Sequence, residues 1–540
     1  MNALFATMLI LVNMKTQSFP GLLYLLLFPL LIASCKGPAS DLDNIPAESR
    51  SLLQVRLPRL VEKSNINYIR DSVGYELIKM GMAFTGIPDF IEDRSRLGID
   101  FSQNLYLFRP DSSEDAPLSA FFHVSAPDSL IRLLRMTDNS LFLTREDGFT
   151  KIRFAFGQIL IKGDKAYYCI EKDEKYTQQM RHYFEMKADE SLGRSEPDIA
   201  KYFARPDDIS FRAGQEKINP GEWKMEGSKS KLLPIDKKIL ASLNFGNGYV
   251  RGNYTESGGP RLRDFYKTAF DREFKAELMN GLDFENGVSL LSLHLRPEAQ
   301  EQVIKSLESY EKVLESCGYD EYYLPLFKSL MEPLGKLFDG RSLWAVNGRL
   351  ATGSPGKKSF FGPKEEIVPR WHIAISLTDG KEASRILESS GLLEKSGRLF
   401  LFPGSRQPLY LAENEHTLFM SNDPSYLHER LNSTEESNAI PKELLRKMRK
   451  YPIYARADEE GRALLDASPG GFDMDGMIRL MTGNALKAVQ FIELRAGQSE
   501  EFPFSADLEV RLKNNERNAL EELITALFEN LSMGAFKDIF

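Results

Sequence analysis

The stretch FTKIRFAFGQILIKGDKAYYCI, residues 149–170, decides how this chain folds. Apolar and polar residues alternate along it with the period of a half-buried strand. Glycine-containing turns interrupt the alternation, and Gly163-Asp164 closes the last hairpin. The stretch therefore predicts three short strands: Phe149 to Phe156, Gln158 to Lys162 and Lys165 to Ile170. Just upstream, Asn104 to Phe108 and Ala120 to Val124 read as strands around a polar turn. Between the two groups, Asp128 suits a helix cap, and Leu130, Leu133 and Leu134 share one helical face.

The same order of elements returns about 250 residues later. Ser342 to Val346 is a strand, a polar loop follows, and His372 to Leu377 is the next strand. Asp379 precedes a helix carrying Ala383, Ile386 and Leu387; then come strands at Leu399 to Phe402, Leu409 to Leu411 and His416 to Met420. Val124-Ser125 and Asp128 match Ile375-Ser376 and Asp379. A period this long means a duplicated domain, since solenoid repeats are far shorter. Residues 213–234 are polar and rich in Gly, Lys and Glu, which predicts a linker. Beyond it, Ile239 to Phe245 and Gly248 to Tyr254 form a hairpin across Gly246-Asn247. Gln302 to Ser316 is an amphipathic helix, and Phe504 to Leu512 is an alternating strand that leads into a C-terminal helix.

The expected fold class is thus α+β: duplicated antiparallel sheets with helices packed on one face, plus a C-terminal strand–helix unit. The expected divisions are a signal peptide (1–34), a tether (35–44), a first module (45–212), a linker (213–235), a second module (236–430) and a C-terminal region (431–540).

The N-terminus gives a location. Lys15 precedes an apolar run from Leu22 to Leu31, too short to cross a bilayer as a helix but of signal-peptide length. It ends in Ile32-Ala33-Ser34-Cys35, which resembles the bacterial lipobox. Small residues let signal peptidase II approach the backbone between Ser34 and Cys35, and the Cys35 thiol takes the lipid. Met14-Lys15 begins a more regular signal peptide than Met1 does, so Met14 is the expected start.

Ile45-Pro46-Ala47, a following strand and Leu60 to Ser64 resemble the opening of large Bacteroidota lipoproteins grouped as the family DUF4836. The Leu243-Asn244-Phe245 hairpin with Asn247-Gly248, then Asp339-Gly340 with Ala345, Pro369, Ile373 to Asp379 and Asn514 to Leu520 fit it in the same order. The resemblance implies a lipid-anchored outer-membrane protein, with the periplasmic or surface face left open. It supplies no activity and no catalytic residues.

Composition excludes several classes. Lys and Arg number 69 against 77 Asp and Glu, a net charge of −8, which lacks the basic footprint of a general nucleic-acid binder. Besides Cys35, only Cys169 and Cys317 are present, and both read as separate, partly buried thiols. The six histidines show no metal spacing; His123, His294 and His372 each sit in a strand-like run and read as sheet residues. Ala351 to Lys358 resembles a phosphate loop, but Gly353 and Gly356 are too close together and Lys358 stands where a hydroxyl is needed. Asp473 to Gly476 resembles part of a calcium loop whose closing position falls on Thr482. No Gly-x-Ser-x-Gly turn occurs. No metal, cofactor or catalytic residue is expected. Phe360-Phe361, in a Gly/Pro/Lys loop, is the best sequence guess at a contact site. The expected function is a non-enzymatic binding or scaffold protein of the envelope, held to the membrane through Cys35, with an envelope protein or glycan as partner. The alternative is an envelope hydrolase acting on glycan, whose paired carboxylates would meet only in space.

Overall fold

In a computed structural model of the protein, the described residues are 41–65, 94–110, 116–138, 140–218, 234–270, 273–282, 289–297, 329–330, 332–352, 358–359, 362–363, 366–402, 409–432, 441–459 and 488–526. The chain is a mixed α+β protein built on a large antiparallel sheet. Its first strands and helices are β1 (Ser51–Val55), α1 (Leu57–Ser64), β2 (Leu105–Arg109), β3 (Ser119–His123), α2 (Pro127–Thr137), β4 (Phe142–Glu146), β5 (Phe149–Phe154), β6 (Gly157–Lys162), β7 (Lys165–Cys169), α3 (Glu174–Glu185), α4 (Leu192–Ser195), α5 (Pro197–Phe203), β8 (Ile209–Ile218), β9 (Ile235–Gly246) and β10 (Tyr249–Gly258). These strands pair in the order β4-β5-β6-β7-β3-β2-β1-β8-β9-β10.

Then follow α6 (Pro260–Ala269), β11 (Ser289–His294), β12 (Phe338–Thr352), the small hairpin β13 (Lys358–Ser359) and β14 (Gly362–Pro363), β15 (Glu366–Leu377), α7 (Gly380–Ser389), β16 (Glu394–Ser396), β17 (Leu399–Phe402), β18 (Leu409–Glu413), β19 (Thr417–Ser421), α8 (Pro424–Asn432), α9 (Lys442–Lys450), β20 (Ile453–Asp458), β21 (Val489–Gly497), β22 (Phe504–Leu512) and helical residues 519–526, termed α10. Apart from the small hairpin, these strands pair as β16-β17-β18-β19-β15-β12-β11-β20-β21-β22. β10 pairs with β22, from Tyr249↔Arg511 to Glu256↔Phe504, and so joins the two runs of strands into one sheet.

Both faces of the outer sheet regions are packed. In the first, α2 covers one face through Leu130, Ile131 and Leu133. α3 and α5 cover the other through Met180, Tyr183, Ile199, Tyr202 and Phe203. In the second, α7 packs Ala383 and Leu387 on one face, and α8 and α9 pack Tyr426, Leu427, Leu444 and Met448 on the other. The centre of the sheet differs. One of its faces receives α6, whose Leu262, Phe265, Tyr266 and Ala269 lie on Tyr254 of β10, Phe504 and Ala506 of β22, and Leu293 of β11. Tyr266 stacks on Phe504 at 5.0 Å. Each of the larger apolar side chains here, such as Leu262, Phe265 and Leu293, contributes about 1.5–3 kcal/mol by its burial. Beside α6, Ala519 and Leu523 of α10 join Val250, Val489 and Leu512 on the same face.

Local expectations meet the structure unevenly. The Gly246-Asn247 hairpin is present as β9 and β10, and Phe504–Leu512 is β22. Asp379 caps α7, accepting the Glu382 amide at 3.0 Å. Asp128 does not cap α2. Pro127, with φ already helical and no N–H to satisfy, takes the first position, so Ala126 is the cap and Asp128 pairs with Arg145 instead. Residues 213–218, read from composition as part of a linker, continue β8, with Ala213 and Ile218 buried; Ile235 already belongs to β9. Polar residues there alternate with the buried ones, and a sheet with one wet face accepts them. The amphipathic helix expected at 302–316 lies outside the described residues.

Candidate functional site

The second face of the central sheet carries the site. Successive side chains of a strand point to opposite faces. Those not covered by α6 and α10 form three rows across β10, β22, β21 and β20. The first row is Tyr249, Arg511, Phe491 and Asp458; the second Arg251, Glu509, Glu493 and Arg456; the third Asn253, Asp507, Arg495 and Tyr454. In the second row, Glu509 and Glu493 stand directly opposite each other on neighbouring strands. Like charges at such positions repel, and cations on both sides offset this.

Glu509 meets Arg511 at 2.5 Å, Arg251 at 3.6 Å and Arg495 at 3.7 Å. Glu493 meets Lys447 at 2.7 Å, Arg495 at 3.4 Å and Arg456 at 3.6 Å, and accepts from the Tyr454 hydroxyl at 3.0 Å. Lys447 comes from α9, which this contact fastens to the sheet. The carboxylates lie beneath and the cations stand above them. Glu493 is 4% exposed and Glu509 13%, whereas Arg251 is 51% and Arg511 36% exposed. Arg251 and Arg511 both lie over the Tyr249 ring, at 4.5 and 5.4 Å from its centroid. Arg456 lies over Phe491 at 4.8 Å. Asp507, the remaining acid of the third row, accepts the Asn253 amide at 2.6 Å.

Beyond Asn253 the face continues into a cavity of about 110 Å³, lined by Tyr202, Arg205, Asp207, Leu240, Ser242, Asn253 and Thr255. Thus α5 and the turn after it wall one side of the central face, and α9 walls the other.

Three buried clusters elsewhere contain groups that catalysis uses, and each is built for packing. Lys275 Nζ lies 2.7 Å from Ser376 Oγ, the spacing of a serine–lysine pair. However, the same ammonium contacts Asp339 at 3.2 Å, Ser376 donates to Asp339 at 2.7 Å, and Ser376 is wholly buried. Burial works to raise the Asp339 pKa, but Ser376, Lys275 and Arg341 outweigh it and hold it below the usual range. A lysine paired with that carboxylate does not take a proton from serine. His372 Nδ1 sits 2.9 Å from Ser421 Oγ, again with both residues buried, and the imidazole lies against Tyr426 at 3.7 Å. Burial, with Arg370 and Arg430 nearby, pushes the His372 pKa down to about 3, so the ring stays neutral. Glu256, under α6, is fully buried among Lys237, Tyr254 and Tyr266. Glu493 and Glu509 are the cross-strand pair of acids that sequence could not have assembled. Each already accepts from several cations, which leaves little room for a substrate oxygen.

The residues singled out from sequence fall mostly elsewhere. Ser34, Cys35, Phe360, Phe361, Cys317 and Asp473 to Gly476 lie outside the described residues. Cys169 is a buried free thiol in β7. His123, His294 and His372 are buried in β3, β11 and β15. His123 contacts Asp41 at 3.2 Å and Asp164 at 3.3 Å, and His294 meets the carbonyls of Met448 and Tyr451. Among the described residues no group of three or more His, Cys, Asp or Glu side chains could hold a metal ion, and no helix is long and apolar enough to cross a membrane.

No known protein family matches the chain, and no curated protein matches it. Solved structures that match in part include crystal forms of TP0453. Form III has a TM-score of 0.26 at 8% identity, covering 44% of this chain and 90% of that one. Form I has a TM-score of 0.25 at 9% identity, covering 45% and 90%. A likeness of this size carries neither fold detail nor function across.

Proposed function

We propose that the protein is a lipid-anchored, non-enzymatic binding or scaffold protein of the outer membrane, built by duplicating one α+β unit, with its binding surface on the central sheet face. The observation that carries the binding reading is the layering of that face: cations exposed above, carboxylates buried beneath, at the junction of the two units. The alternative, a glycan hydrolase, lacks support from the clusters above, where every candidate nucleophile or acid is buried or already paired.

Support for duplication comes from strand order. Counted from each outer edge, both runs of ten strands share one sequence of connections, with α2 and α7 at the same place in each. The two units meet at their last strands, β10 and β22. The helices that follow those strands, α6 and α10, lie side by side on the same face. Anchoring rests on the apolar run and Ile32 to Cys35, and membership of the DUF4836 lipoproteins belongs to the same reading.

Labelling with a palmitate analogue tests the anchor: wild type takes up label and sediments with outer membrane, and Cys35→Ser does neither. Equal labelling of Cys35→Ser would refute it. Incubation of the purified protein with envelope glycans, read by mass spectrometry, yields no cleavage products; turnover would refute the non-enzymatic reading.

A further inference from the structure

We propose that the central face binds an anionic polysaccharide strand, with its acidic groups seated on Arg251 and Arg511. The inference rests on the binding reading above and names its ligand.

Charge and exposure give the sign of the ligand. Arg251 and Arg511 share the single carboxylate of Glu509, on which Arg495, paired also with Glu493, encroaches as well. Their demand for acceptors is not met by that group, since a guanidinium has five donors. The two most exposed, Arg251 and Arg511, come from adjacent strands and converge on the same tyrosine ring. Such a planar fork recognises carboxylate, sulfate or phosphate groups. Glu509 holds both forks in place from below, which lowers the ordering cost of binding.

Shape and the other side chains point to carbohydrate. The rows run across the strands, so successive side chains in a row stand about 4.8 Å apart. That suits an extended polymer lying across the strands. Around the arginines the face offers hydroxyl and amide groups, at Ser242, Asn253, Thr255 and Ser505, that match sugar hydroxyls. Nucleic acid fits less well: its bases call for open aromatic platforms, and Tyr249 and Phe491 lie under arginines.

The test uses the full lipidated protein in detergent and measures binding by calorimetry. The probes are oligogalacturonate, neutral dextran and single-stranded oligo-dT. Wild type binds oligogalacturonate, more weakly as salt rises, and does not bind dextran. Arg251→Ala with Arg511→Ala weakens binding about tenfold or more. Both side chains are partly exposed, so the fold is expected to survive. If melting shows otherwise, Arg251→Lys with Arg511→Lys keeps charge and stem and loses about threefold. Unchanged affinity in a folded variant, equal binding of dextran, or tighter binding of oligo-dT overturns the proposal. No binding of any probe, with Cys35 acylated and no cleavage, overturns the ligand class and leaves the binding reading standing. Shortening of the oligogalacturonate overturns the binding reading itself.

Discussion

Replacing Glu256 by glutamine is expected to loosen the seam between the two runs of strands. Glu256 lies at the end of the β10·β22 pairing, fully buried under α6. Three donors converge on it: Lys237 Nζ at 2.7 Å, the Tyr266 hydroxyl at 2.6 Å and the Tyr254 hydroxyl. Burial alone would raise its pKa, but the Lys237 ammonium and the two hydroxyls overcome this and hold it below the ordinary carboxylate range. Hydrogen bonds to a charged group contribute about 1.5–3 kcal/mol each. Lys237 and Tyr254 both donate to Oε1 and Tyr266 donates to Oε2, so a glutamine with its oxygen in the Oε1 place keeps two acceptor contacts and turns its NH2 to the Tyr266 hydroxyl, but all three contacts lose their charge assistance, about 1 kcal/mol each. Lys237 recovers part of this from water, since its head is not fully buried. Glu256→Gln should therefore cost about 3 kcal/mol. Tyr266→Phe removes one donor and should cost about 1.5 kcal/mol. Because both changes act on one network, the double variant should fall short of the sum by about 1 kcal/mol. Urea unfolding at pH 7, followed by circular dichroism, measures all three. The sign with pH is also fixed. The native carboxylate is easier to ionise than the unfolded one, so its stabilisation is present above the unfolded pKa and fades as pH falls through the lower native value. A Glu256→Gln variant within about 0.5 kcal/mol of wild type, well inside the surface-mutation range, would refute this reasoning.

Other consequences follow from single residues. His372 is neutral in the fold with a pKa near 3, against about 6.5 unfolded, so its unfolded form binds the extra proton between those values. Stability is expected to fall as pH drops below 6.5, by about 1.4 kcal/mol per pH unit from this group. His372→Gln should flatten that slope between pH 6.5 and 5 in urea titrations, and an unchanged slope would assign it elsewhere. Asp379→Ala removes the cap of α7 and should cost about 1 kcal/mol, whereas Asp128→Ala, at a residue that caps nothing, should cost less than about 0.5 kcal/mol. Thermal melting of the two variants side by side checks the contrast.

Local signals carried far in this chain, and relations between strands did not. The β5 to β7 hairpins, the Gly246-Asn247 turn and the Asp379 cap were legible because each is decided within a few residues: a glycine at positive φ at Gly163, or a side chain three positions from the amide it accepts. Asp128 misled because the proline before it outranks a carboxylate as a helix starter. Residues 213–218 misled because composition cannot separate a loop from a strand with one wet face. The central face was invisible for a different reason. Arg251 lies on a strand far in sequence from those of Arg456, Glu493 and Glu509, and each of the four looks there like an ordinary outward residue of an alternating strand. Only the β10·β22 register sets Arg251 opposite Glu509, and the β21·β22 register sets Glu509 opposite Glu493. Phe360-Phe361 stands out in sequence as an apolar pair in a polar loop and lies outside the described residues, whereas Tyr249 is hidden in sequence beside a glycine turn.

The most direct measurement is arginine footprinting. Treatment with phenylglyoxal, with and without bound oligogalacturonate, can be read residue by residue by mass spectrometry. The account predicts that Arg251 and Arg511 react in the free protein, because they are the exposed members of the cluster, and that ligand protects both while exposed Arg446, on the far side of α9, stays reactive. Ligand bound at saturation with Arg251 and Arg511 reacting as fast as before would contradict it.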